Sequence, residues 1–178
     1  MTPLSLMANA FIIAQNSKCV SWKVGAIIVR DDRIISTGYN GALAGQINCC
    51  DHSELQGWMI EHNGKLVLNP EKRKEHSEWS MVHENHAEVN AIVYAARYTG
   101  GLEGSTMYVT VSPCYQCAKQ IAASGIKKLV DCDEYDQTDN KWSKVLTESG
   151  IEVYRINREM VPYIDSSVQS FQGLEKLN

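Results

Sequence analysis

From His86 to Ile156 the chain alternates helix-like and strand-like stretches, and this alternation restricts the fold more than any other feature. His86 to Arg97 reads as a helix, Gly100-Gly101 stops it, and Thr106 to Val111 reads as a strand. Ser112-Pro113 caps the next helix, which carries Ala118, Ile121 and Ala122 on one side; Gly125 ends it ahead of a strand from Lys127 to Asp131. Asp139 can cap a third helix bearing Trp142, Val145 and Leu146, closed by Gly150 before a strand from Ile151 to Ile156. Upstream, Thr2-Pro3 opens a helix whose Leu4, Met7, Ala8, Phe11 and Ile12 share a face. Val24 to Val29 and Ile34 to Gly38, separated by Asp31-Asp32, read as an antiparallel hairpin. The class is therefore α/β: three layers, α/β/α, with a mixed sheet of about five strands and helices on both faces.

A chain of 178 residues, 44% of them apolar, has the usual size of one domain, expected over residues 1–178. Residues 41–82 lack periodicity and read as a long irregular insertion with room for a short helix. Beyond Arg158 the tail is amphipathic at best, and its last residues are expected to fray. No basic leader with an apolar run begins the chain and no stretch is apolar enough to span a bilayer, so a cytoplasmic protein is expected, in the host cytoplasm if viral, with no membrane partner. The formal charge of −4 and the scattered Lys and Arg disfavour long nucleic acid as a partner. In a reducing compartment the six cysteines are metal ligands or buried thiols before they are disulfides.

The chemistry is concentrated in two short motifs. His86-Ala87-Glu88 stands at one helix start, and Pro113-Cys114-Tyr115-Gln116-Cys117 at the next. Three protein ligands, His86, Cys114 and Cys117, leave the fourth tetrahedral position of a zinc ion open for water, which marks a catalytic site rather than a structural one. Helix N-termini favour the thiolate forms, and zinc lowers the pKa of its water toward ~7. Glu88 is placed to move protons between that water and the substrate. The pair H-x-E and P-C-x-x-C is the signature of zinc-dependent nucleobase deaminases, in which water attacks C4 of a cytosine or C6 of an adenine. A structural zinc knuckle would need a fourth Cys or His and would leave Glu88 without a task.

With these motifs, Val24-Gly25-Ala26, Gly38-Tyr39-Asn40-Gly41, His86 to Ala91 and Pro113 to Lys119 resemble the deoxycytidylate deaminase family, in particular its phage branch. The likeness runs from about Ser17 to Tyr135 and continues weakly through the last strand. It implies the cytidine deaminase-like fold and hydrolysis of dCMP to dUMP, which feeds thymidylate synthesis. It also implies a homohexamer activated by dCTP and inhibited by dTTP, with Mg(2+) accompanying the triphosphate.

The same resemblance sets Gly38, Asn40 and Gly41 near both the substrate sugar and the effector, although turn chemistry alone would also explain the glycines. Arg97 matches an arginine near subunit contacts and effector; a helix C-terminal cation is the plain alternative. Ser21 and Lys23 fall where the substrate phosphate is expected, Lys23 otherwise being a solvated strand-edge lysine. Ala87 belongs to the substrate pocket, and Tyr115 and Tyr135 are candidates to pack on base and deoxyribose, or to be core.

The resemblance also implies a second, structural zinc, its match falling on Cys19, Cys49, His76 and Glu84. Such a site would hold an insertion too poor in apolar residues to dock by packing, with His83 or His52 as substitutes for Glu84 and plain buried thiols as the alternative. Competing functions are a deaminase of another nucleotide, nucleoside or nucleobase, one acting on cytosine or adenine in nucleic acid, and a non-enzymatic zinc module.

Overall fold

The computed structural model describes residues 1–134 and 141–161. Helix α1 spans Pro3–Ala14, and the Thr2 side chain accepts from Ser5 N at its start. Strands β1 (Gly25–Arg30) and β2 (Arg33–Tyr39) follow as the expected hairpin. Asp31 and Asp32 both adopt positive φ, the backbone a two-residue turn between right-twisted strands requires.

Residues 41–82 are more ordered than the poor periodicity suggests. They hold β3 (Gly41–Ala42), α2 (Cys49–Leu55), a hairpin of β4 (Met59–His62) and β5 (Lys65–Leu68), and most of α3 (Arg73–His83). The hairpin turn is Asn63-Gly64, both at positive φ. Then come β6 (Glu84–Asn85), α4 (Ala87–Tyr98), β7 (Thr106–Val109), α5 (Tyr115–Ala123), β8 (Lys128–Asp131), α6 (Lys141–Glu148) and β9 (Glu152–Arg155). Asp139, expected as the cap of α6, lies outside the described residues, as does the tail beyond Val161.

The main sheet has five strands in the order β2-β1-β7-β8-β9. β1 is antiparallel to both neighbours, whereas β7, β8 and β9 run parallel, joined by α5 and α6 as crossovers. Alternate residues of β1 serve two cores: Ala26 and Ile28 face α4, α5 and α6, while Ile27 and Val29 face α1. The architecture is thus the expected α/β/α sandwich.

The buried stripe of α1 is Leu6, Met7, Ala8, Ala10 and Ala14, rotated from the expected one: Leu4 and Phe11 are half-buried and Ile12 is 49% exposed. The helix is apolar nearly all round, so the docking face follows from where the backbone approaches closest, which is Gly25. A β-carbon there would collide with the carbonyl oxygen of Ala10.

Candidate active site and metal clusters

Both ligand-bearing helices start beside one another. His86 is the extended cap residue of α4, with φ −72° and ψ 156°, and Cys114 is the cap of α5. Ser112, expected to cap α5, instead donates its backbone N–H to the carbonyl of Asp133 at 2.8 Å, and Cys114 Sγ takes over by accepting from Cys117 N at 3.4 Å. Pro113 between them is fully buried.

These two caps bring His86 Nδ1 to 3.5 Å from Cys114 Sγ and 3.3 Å from Cys117 Sγ. Three soft donors whose ligand atoms all lie within 4.8 Å of one another fit a tetrahedral ion with one position left over. Without a metal, the Cys117 hydrogen bond and then the His86 contact hold the Cys114 thiol down at about 4. The bond to Cys114 raises His86 to about 9, and Cys117 is pushed up by its hydrogen bond to Cys114 and by burial. The thiolate belongs on Cys114, because the free amide of the α5 start also points at it.

Glu88, in the first turn of α4, is 3% exposed. Burial raises its carboxyl above the usual range, and the nearby His86 opposes that rise. A carboxyl so placed exchanges its proton more readily near neutrality than one in water does.

The second group, Cys19, Cys49, His76 and Glu84, also comes together, all four buried and their ligand atoms within 4.8 Å of one another. Cys49 Sγ is 3.2 Å and Cys19 Sγ 3.7 Å from His76 Nε2, and the sulfurs are 4.0 Å apart. Glu84 Oε2 accepts from Ser80 Oγ at 2.6 Å, while Glu84 Oε1 is buried with no hydrogen-bond partner among the described residues. Two sulfurs, an imidazole and an orphaned carboxylate oxygen fit a closed four-ligand ion. His52 and His83, named as substitutes for Glu84, stand elsewhere: they stack on Trp79 at centroid distances of 4.5 and 4.7 Å. Cys50 points away, toward Asp51.

The remaining candidates lie on several elements. Ser21 and Lys23 are exposed. Asn40 is 8% exposed, and its amide is engaged locally: Oδ1 accepts from Val24 N at 2.8 Å and Nδ2 donates to Trp22 O at 2.9 Å. Gly38 abuts α4, where a β-carbon would collide with the carbonyl oxygen of Ala87, itself fully buried. Gly41 pairs with Asn85 across β3 and β6. Tyr115 is 44% exposed, with the Lys119 ammonium over its ring, so it is not core. The Arg97 guanidinium lies 5.2 Å from the centroid of the exposed Tyr98 ring. Tyr135 lies outside the described residues.

Sequence reasoning missed three supporting residues. Ser80, one helical turn before Glu84, aims that carboxylate; Ser36 Oγ donates to Ala91 O at 2.6 Å and pins α4 to the sheet; Thr110 Oγ1 accepts from Gly25 N at 3.1 Å. Only the i,i+4 spacing of Ser80 and Glu84 was a readable signal.

Residues 2–132 match the model of the cytidine and deoxycytidylate deaminase zinc-binding region. The chain is 46% identical over 177 residues to the deoxycytidylate deaminase of Enterobacteria phage T4, covering 89% of this chain and 92% of that one. It is 45% identical over 174 residues to the corresponding protein of Enterobacteria phage T2, covering 88% and 93%. The structure resembles the dCMP deaminase of cyanophage S-TIM5 in complex with dCMP and dUMP, with a TM-score of 0.65 and 33% identity over 88% of this chain and 99% of that one. Among the described residues, no helix is long and apolar enough to cross a membrane. With both motifs folded onto one site, the chain belongs to the cytidine and deoxycytidylate deaminase family.

Proposed function

We propose that this chain hydrolyses dCMP to dUMP and ammonia. The observation that carries the reading is the convergence of His86, Cys114 and Cys117 beside the buried carboxyl of Glu88, in a chain nearly half identical to phage deoxycytidylate deaminases. A zinc ion held by those three residues would supply water ionised at neutral pH. Glu88 accepts the proton that water gives up and delivers it to N3 of the pyrimidine, drawing electron density from C4. Glu88 then takes the second proton from the hydroxyl now bonded to C4 and hands it to the departing amine, so both protons lost by water end on the products and no organic cofactor is consumed.

Around this centre, Ser21 and Lys23 bind the phosphate, Asn40 and Ala87 line the sugar and base, and Tyr115 and Tyr135 pack on them. The exposure of Lys23 and Tyr115 supports those two roles. One bond at each end of the Asn40 amide leaves one N–H of Nδ2 to donate and one lone pair of Oδ1 to accept. The four-residue cluster takes a structural zinc, supported by its donor set and the unpartnered Glu84 oxygen. The enzyme is a single domain that works in the cytoplasm, of the host if viral. It assembles as a homohexamer and answers to dCTP as activator and dTTP as inhibitor, with Mg(2+) on the triphosphate. Gly38, Asn40, Gly41 and Arg97 serve the effector side.

Ammonia release measured across dCMP, dCTP, deoxycytidine, CMP and single-stranded DNA tests the assignment. The expected result is turnover of dCMP far above the rest, with Lys23→Ala weakening dCMP use selectively. Preference for deoxycytidine or for DNA would overturn it. Saturation curves with and without dCTP or dTTP test the regulation, and unchanged curves would leave an unregulated enzyme.

A further inference from the structure

The two clusters share a two-residue strand. Glu84 belongs to one and His86 to the other, with Asn85 alone between them. Glu84 and Asn85 form β6, paired with Ala42 and Gly41 of β3, and His86 follows in the same extended conformation as the cap of α4. Each residue of such a backbone advances the chain by about 3.3 Å, so the Cα atoms of the two ligand residues are held within about 7 Å of each other with no flexible segment between them.

Glu84 is also the member of the four-residue cluster whose position most needs a metal. Ser80 satisfies one of its oxygens, and the other is buried without a partner among the described residues. An unpaired buried carboxylate is relieved only by a cation, by protonation or by moving toward water, and moving would shift β6 and His86 with it. Metal ligands must be held to within about 0.5 Å, and altering the groups that orient them typically weakens metal binding about 10–100-fold.

We propose that the two metal sites are coupled through Glu84-Asn85-His86, so that filling the cluster at Cys19, Cys49, His76 and Glu84 tightens binding at His86, Cys114 and Cys117. The inference rests on the four-residue cluster being a metal site. Coupling of binding free energies is reciprocal, so the catalytic ion tightens the second site by the same factor. The two sites would then load over a narrower range of metal supply than two independent sites of the same affinities.

The test is a zinc-buffered titration of the full chain, read by bound zinc rather than by turnover. Cys49→Ser and Cys114→Ser each leave one site, and their separate affinities give the product expected without coupling. The unmodified chain should bind two zinc ions with a product of affinities about 10–100-fold larger. Asn85→Gly keeps every ligand and loosens the link, removing with it the Asn85 Nδ2 bond to Asn90 Oδ1 at 3.2 Å; it should still bind two ions with the product lowered toward the uncoupled value. Two ions bound with a product equal to that of the single-site variants would overturn the coupling. A single ion in the unmodified chain at saturating zinc would instead overturn the four-residue site itself.

Discussion

Gly38 of β2 lies against the first turn of α4, so close that a β-carbon would collide with the carbonyl oxygen of Ala87 and stand 3.1 Å from Cα of Ala91. The helix start that carries His86 and Glu88 is thus seated directly on a glycine. Ser36 Oγ, bonded to Ala91 O, and Asn90 Nδ2, bonded to Tyr39 O at 2.8 Å, hold it there.

Gly38→Ala should therefore cost about 1–3 kcal/mol of stability by overpacking and also displace Glu88. The denaturant midpoint should fall, and turnover per folded molecule should fall several-fold. Gly25→Ala makes the corresponding collision on the opposite face of the sheet, against α1, which carries no candidate site residue. It should lose comparable stability with a smaller change in turnover. Equal turnover losses in the two variants would show that the Gly38 contact does not place the catalytic helix.

Glu88→Gln should reduce turnover at least about 10²-fold, the usual share of a general acid-base group, while bound zinc and melting temperature stay near those of the unmodified protein. Cys114→Ser should lose metal and turnover together, since a neutral hydroxyl is a poor substitute for thiolate. Metal analysis beside the ammonia assay checks both. Zinc lost from Glu88→Gln would make that residue a ligand.

In the metal-stripped protein Cys114 is held as a thiolate down to about 4, against about 8.5 for a free cysteine. Alkylation by iodoacetamide at Cys114 should therefore proceed at pH 6, where an ordinary thiol is almost wholly protonated, and should fade only as the pH falls toward 4. Cys117 and the buried Cys132, whose thiols are raised, should remain unmodified at pH 6. Added zinc should suppress the Cys114 reaction. Peptide mapping by mass spectrometry after timed labelling gives the order directly.

Arg155 grips Asp131 with two parallel bonds, Nε to Oδ1 at 2.9 Å and Nη2 to Oδ2 at 2.7 Å, and reaches Glu134 with Nη1 at 3.1 Å. Asp131 is 1% exposed. Arg155→Met should cost about 2 kcal/mol: removing one partner of a fully buried pair costs about 3–5, and here the guanidinium is 41% exposed and partly screened. The paired variant Asp131→Asn, Arg155→Met should recover part of that loss, because no buried charge is left alone. Denaturation midpoints of the three variants check the sign.

The catalytic cluster was legible because each helix starts with a signal of its own. An H-x-E at one start and a P-C-x-x-C at the next place three ligands and a carboxylate by local geometry, and only the sheet between them had to be inferred. The hairpin at Asp31-Asp32 and the glycine stops at Gly125 and Gly150 were readable for the same reason, since a positive φ is a local requirement. Asn63-Gly64 is an equally local signal, and it marks β4 and β5 inside a stretch that hydropathy alone renders as irregular.

By itself the sequence determined the grouping of His86, Cys114 and Cys117, the order of helices and strands, and therefore a mixed sheet whose parallel strands require crossovers. Contacts across the chain were decided only by the tertiary structure. A helix apolar on nearly every side, such as α1, does not declare which face docks, and the close approach at Gly25 selects Leu6, Met7 and Ala10. The side-chain amide of Asn40 is spent on the backbone of Trp22 and Val24, and Arg155 finds Asp131 across a parallel register. Such pairings carry no periodic trace, because they depend on which backbone atoms remain unsatisfied once the layers have packed.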